Sequence, residues 1–185
     1  MKKLLSMLLV AAMMCSLSAC GSNSAEKAED VAPLDVLTAV WETYAEDEKF
    51  AAMGGDMNNM VENAPGTFDA TDKASLDATL GFPEASVGMI DDAASLVHML
   101  NANTFTAGAY HVTETDEIEM LVADLEDNIV NRQWLCGFPE TLIIVKVGHS
   151  TIVSAFGNGE LIDNFKTKLL TVYEDAEVLS EKSLL

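Results

Sequence analysis

Apolar positions along this chain switch period several times, and each switch predicts a different element. Val36, Leu37, Val40, Trp41 and Tyr44 recur at helical spacing after Pro33, a residue suited to a first helical turn, so residues 33–48 read as a helix. Phe50, Met53, Met57, Met60 and Val61 follow at i, i+3, i+7, i+10 and i+11. That stripe predicts a second helix over 50–66, weakened by Gly54-Gly55 and broken at Ala64-Pro65-Gly66. Leu76 and Leu80 suit the inner face of a short helix starting at Thr71 or Asp72.

From about residue 93 the pattern becomes strand-like. Ser95 to Leu100 is largely apolar, Asn101-Ala102-Asn103 signals a turn, and Thr104 to Val112 alternates in part. A hairpin is the preferred reading, with a short helix at 92–100 competing. Thr115 is placed to cap a long acidic-faced helix with Ile118, Leu121, Val122, Leu125, Ile129 and Val130 inward, ending near Trp134. Leu142-Ile143-Ile144-Val145 is apolar at every position, which predicts a central strand from Thr141 to Val147. Gly148-His149 turns the chain into a second strand, 150–156. Asn158 is placed to cap a helix to about Tyr173, and 176–180 reads as an edge strand or tail. "GFPE" occurs at 81–84 and again at 137–140, each time between a helix and an apolar run; four residues are thin support for a duplication.

Two hairpins separated by helices predict an α+β fold: a small antiparallel sheet, four strands, covered on one face by the two long helices and preceded by N-terminal helices. The alternative is a helical N-terminal half joined to a small hairpin-and-helix C-terminal half. One domain, residues 33–175, is expected, with 176–185 as its edge strand or tail.

The N-terminus changes the picture most. Met1-Lys2-Lys3 precedes an apolar run of about fourteen residues, too short for a bilayer core of about 30 Å but suited to a secretory signal. Leu17-Ser18-Ala19-Cys20 resembles the lipobox of bacterial lipoproteins: an aliphatic residue, two small residues, then cysteine. The resemblance implies cleavage after residue 19 and diacylglycerol on Cys20. Residues 20–32 then form a lipidated, polar tether, and anchoring by two acyl chains is stable where one is marginal. The partner this implies is the membrane, on its extracytoplasmic side.

Charge excludes one class of partner. The chain has 30 acidic and 10 basic residues, a net charge of −20, and loss of Lys2 and Lys3 leaves the mature part more acidic still. Such a surface repels phosphate backbones, so no nucleic acid is expected. Cys15 leaves with the signal and Cys20 takes lipid, so Cys136 remains without an intramolecular disulfide partner; its apolar neighbours suit a small buried hydrophobe.

Chemical motifs are sparse. Met53, Met57 and Met60 are the candidate metal ligands, because soft thioethers select Cu(I); a methionine stripe at helical spacing more simply fills a core or lines a peptide or lipid groove. His98, His111 and His149 form no pair at zinc-site spacing. Asp69/Asp72, Asp91-Asp92 and Glu114/Asp116/Glu117/Glu119 do not match a calcium loop. Nucleophile-elbow, phosphate-loop and dinucleotide signatures are missing from the sequence, so no cofactor is implied.

"LNANTFTAGAYHV", the acidic helix with "NRQW", "IIVKVGHSTIVSAFGN" and "LIDNFKTKL" together resemble a family of small lipoproteins of Gram-positive gut bacteria that carry a domain of unknown function. The resemblance spans roughly residues 90–172. It implies a lipoprotein with a small α+β domain and brings no catalytic residues. The expectation is a lipid-anchored, non-enzymatic binding or accessory module. Its rivals are a Cu(I)-handling lipoprotein using Met53, Met57 and Met60, and a cell-envelope hydrolase whose site assembles only in the fold.

Overall fold

A computed structural model describes residues 30–135 and 137–185. The expected signal segment, Cys20, the expected tether up to residue 29 and Cys136 lie outside the described residues. Helix α1 (Pro33–Glu42) is followed by β1 (Ala52–Gly54), β2 (Val61–Glu62), β3 (Gly66–Phe68) and α2 (Lys73–Leu80). A 3-10 turn leads into β4 (Ile90–His98) and β5 (Phe105–Val112), then α3 (Ile118–Val130), β6 (Thr141–Val147), β7 (Thr151–Gly157), α4 (Gly159–Val172) and β8 (Glu177–Ser183).

The strands form one antiparallel sheet of eight, ordered β2-β1-β4-β5-β7-β6-β8, with β3 also paired to β4. The α+β class and both expected hairpins, β4–β5 and β6–β7, are present and make up the four central strands. The four-stranded extent is corrected. Beyond β4 lie β1, β2 and β3, and β8 pairs with β6 as an edge strand rather than trailing as a tail.

The one-faced covering is corrected too. In β6, Ile143, Val145 and Val147 join a core with α1 and α4, whereas Leu142 and Ile144 join a second core with α2 and α3. β7 divides the same way, Val153 and Ala155 to one side, Ile152 and Phe156 to the other. Successive side chains alternate between faces, so strands apolar at every position need cover on both. The two long helices therefore lie on opposite faces.

Residues 50–66 are not a helix. Gly54 meets Gly66 backbone to backbone: a Cβ at Gly54 would stand 2.2 Å from the Gly66 nitrogen. That contact lets β1 and β3 lie together along one edge of β4, which a helix across this segment would prevent. Elsewhere the local signals hold. Asp72 caps α2, accepting from the Ser75 amide at 3.1 Å, and Gly81 ends it in the left-handed region. Asn158 caps α4, accepting from the Glu160 amide at 3.1 Å. Thr115 does not cap α3; it opens a 3-10 turn, and α3 starts three residues later and stops at Val130, short of Trp134.

Two predictions test this packing. Leu125, on the α3 side, and Phe165, on the α4 side, are both fully buried. Leu125→Ala should cost about 2–5 kcal/mol and Phe165→Ala about 3–5 kcal/mol, read as shifts of the urea midpoint; a face that was solvated would show almost no shift. The Tyr44 hydroxyl is buried with no hydrogen-bond partner. Burial, and then the Glu48 carboxylate, push its phenol well above the ordinary value. Tyr44→Phe should therefore stabilise the protein by about 1 kcal/mol, measured by the same titration.

Candidate functional site: a methionine-lined groove

One end of the sheet carries an open groove of about 330 Å³ between the β1–β2 hairpin, the end of β4 and α2. Met53, Met57, Met60 and Met99 line it, with Phe68, Val97 and Leu100. Six methionines follow residue 20 in the sequence, and four of them meet here. Met57 is 79% exposed, Met60 58% and Met99 49%, so the expectation that the stripe is core is overturned. The helical spacing has a different cause: a hairpin whose two arms return to the same groove.

The register shows how. Met53 pairs with Glu62 on β2 and with Val97 on β4. Met60 immediately precedes β2 and Met99 immediately follows β4, so the pairing of both strands with β1 brings them to the end of the sheet where Met53 lies. Met57 sits in the turn that joins β1 to β2.

Asp56 holds that turn. Its carboxylate accepts from the Asn58 amide at 2.7 Å, the Asp69 amide at 3.0 Å and the Asn59 amide at 3.1 Å. Burial works to raise this carboxyl, and the hydrogen bonds from Asn58, Asp69 and Asn59 outweigh it, holding the group below its ordinary value. Ser95 on β4 donates to the Gly55 carbonyl at 3.1 Å, which ties the turn to the sheet. The groove floor thus carries a fixed negative charge whose oxygens are already occupied.

His98 reaches the groove rim, a neighbour that sequence spacing did not reveal. Its ring stacks on Phe50 at 5.4 Å, and Nδ1 accepts from the amides of Leu100 and Asn101 at 3.3 and 3.4 Å. An Nδ1 that accepts leaves the proton on Nε2, so Nδ1 serves the turn. Met99 is the other residue that sequence reasoning missed; it is separated from Met60 by 39 positions, and only the β1–β4 pairing brings it in.

The remaining candidates stay apart. His111 Nδ1 bonds to Asp91 Oδ1 at 2.5 Å at the start of β4, the far end of the strand from the groove. His149 borders a second groove with Thr115, Glu119, Lys146 and Glu177, but Glu177 is held by Lys146 at 2.8 Å. Among the described residues no histidine is hydrogen-bonded to a hydroxyl or thiol. Asp69 and Asp72 make local turn and cap bonds. None of the helices in the described residues is long and apolar enough to cross a membrane. The chain matches no protein-family model, no curated protein and no solved structure.

Removing the Asp56 carboxylate tests its role. Asp56→Ala leaves the Asn58 and Asp69 amides without their acceptor, while the Asn59 amide keeps the Asp56 carbonyl, and should cost about 1–3 kcal/mol at neutral pH. A depressed carboxyl contributes fully above its unfolded-state pKa of roughly 4 and loses that contribution as pH falls through the lower folded-state value. The stability gap between native and variant, measured by urea titration from pH 7 to pH 2, should therefore close below about pH 4.

Proposed function

We propose that this protein is a lipid-anchored, extracytoplasmic binding lipoprotein without enzymatic activity, whose ligand seat is the methionine-lined groove. The observation that carries the reading is the gathering of four methionines in one groove, three of them exposed and Met53 half-buried, at the end of the sheet opposite Asp30.

The two ends can be told apart by register. The chain enters the domain at the β6–β7 turn: Ser150 donates to Asp30 at 2.6 Å and Thr151 to the Val31 carbonyl at 2.5 Å. Thr151 is level with His111, and His111 with Asp92, at the start of β4. Val97 and Met99 lie at the other end of that strand, roughly 20 Å away at about 3.3 Å per residue. The described chain thus begins at one end of the sheet, and the groove lies at the other.

The surroundings support a docking role for that end. Leu100, Leu135 and Phe138 are exposed there, Leu135 at 92%. Asn103 joins their two loops by donating to the Gly137 carbonyl at 3.0 Å. In a chain of net charge −20, exposed apolar residues collected at one end mark a contact surface. Methionine suits such a surface because its unbranched thioether adapts to the ligand.

Mass spectrometry of the mature N-terminus tests the location. The expected result is a first residue Cys20 carrying diacylglycerol, with Cys20→Ser moving the protein from the membrane to the soluble fraction. An unmodified Cys20, or membrane retention of Cys20→Ser, contradicts the reading.

A further inference from the structure

We infer that the groove is a thioether site for a soft monovalent cation, Cu(I), with Met53, Met57 and Met60 as its ligands and Met99 as a fourth sulfur at the rim. The inference rests on the reading of the groove as a ligand seat and names what sits there.

Three observations carry it. The first is convergence. Met53 on β1, Met60 next to the start of β2 and Met57 on the turn between them all line the same groove. Each side chain is unbranched with three rotatable bonds, so two such neighbours can reach a common ion from either side. Met99, just beyond the end of β4, lines the groove from the side opposite the β1–β2 turn.

The second is exposure without packing. A methionine that is 79% exposed, as Met57 is, gains almost nothing from burial, and its neighbour Met60 is exposed as well. Sulfur rather than bulk is what these positions share. The third is charge. The Asp56 carboxylate borders the groove, is 6% exposed and accepts from the amides of Asn58, Asn59 and Asp69. Its oxygens accept from backbone amides, so it supplies attraction for a cation without competing as a ligand.

Ligand chemistry then chooses the ion. Thioethers are soft and neutral, and they select Cu(I) over Zn²⁺ or Ca²⁺, which prefer imidazole, thiolate or oxygen. His98, the nearest imidazole, is held by Phe50 and the turn amides. Thioethers also have no proton to lose. Binding at this site should be independent of pH between 5 and 8, unlike binding at histidine or thiolate, which releases protons.

The test is anaerobic competition for Cu(I) between the mature chain, residues 20–185, and a chromophoric Cu(I) chelator. Both chains carry Cys20→Ser and Cys136→Ala so that no thiol contributes. The comparison chain also carries Met53→Leu, Met57→Leu and Met60→Leu, which keep the groove apolar and remove its sulfur. A melting curve without metal and binding of an apolar fluorescent probe are recorded for each.

We expect one Cu(I) per chain in the methionine form, with an affinity flat from pH 5 to 8. The leucine form should bind Cu(I) at least tenfold more weakly, with an unchanged melt and unchanged probe binding. Equal Cu(I) affinity in the two forms, or an affinity that falls steeply below pH 7, overturns the inference. Probe binding without any Cu(I) binding also overturns it, while leaving the groove as a seat for an apolar ligand. Failure to bind either removes both the metal and the seat.

Discussion

Everything in this domain follows from strands that are apolar on both sides. β6 and β7 carry branched or aromatic residues on alternate faces with scarcely a polar interruption. In a solvated sheet one of those faces would be wet. Here each must be covered, and the chain supplies one helix pair for each, α1 with α4 and α2 with α3. The cover is longest over the middle of the sheet. At the β4 margin the sheet runs on as the two- and three-residue strands β1, β2 and β3, and α2, eight residues long, is the helix beside them. The groove opens where that cover runs out.

What keeps this margin ordered is a small set of polar and steric contacts rather than bulk burial. Gly54 and Gly66 let two backbones touch. Asp56 gathers three amides from two segments, and Ser95 clamps the turn to β4. These contacts place flexible methionines on a rigid base. A buried carboxylate that orders a turn also leaves its charge beneath the groove, so the device that builds the site sets its electrostatics.

Much of this was legible in the sequence, and the failures are instructive. The two hairpins, the short helix starting at Thr71 or Asp72, the cap at Asn158 and the edge strand follow from short-range chemistry, and all are present. Residues 50–66 misled because seven positions separate Met53 from Met60, a spacing close to two helical turns and equally met by the two arms of a hairpin. Gly54-Gly55-Asp56 and Asn58-Asn59 were the signals that favoured turns; the methionine stripe outweighed them. The unbroken apolar run of β6 already implied cover on both faces, which the one-faced sheet contradicted. Met99 and His98 were invisible as parts of the site, since nothing local links them to residue 53. Thr115 was a plausible cap by type, but the 3-10 turn from 115 to 117 takes up the positions where it would have acted.

X-ray absorption at the copper edge tests the central claim most directly. The sample is the Cys20→Ser, Cys136→Ala chain loaded with one equivalent of Cu(I). A first shell made only of sulfur is the predicted result, because the groove offers thioethers while Nδ1 of His98 and the oxygens of Asp56 accept from backbone amides. Nitrogen or oxygen scatterers in that shell would contradict it and move the site away from Met53, Met57 and Met60.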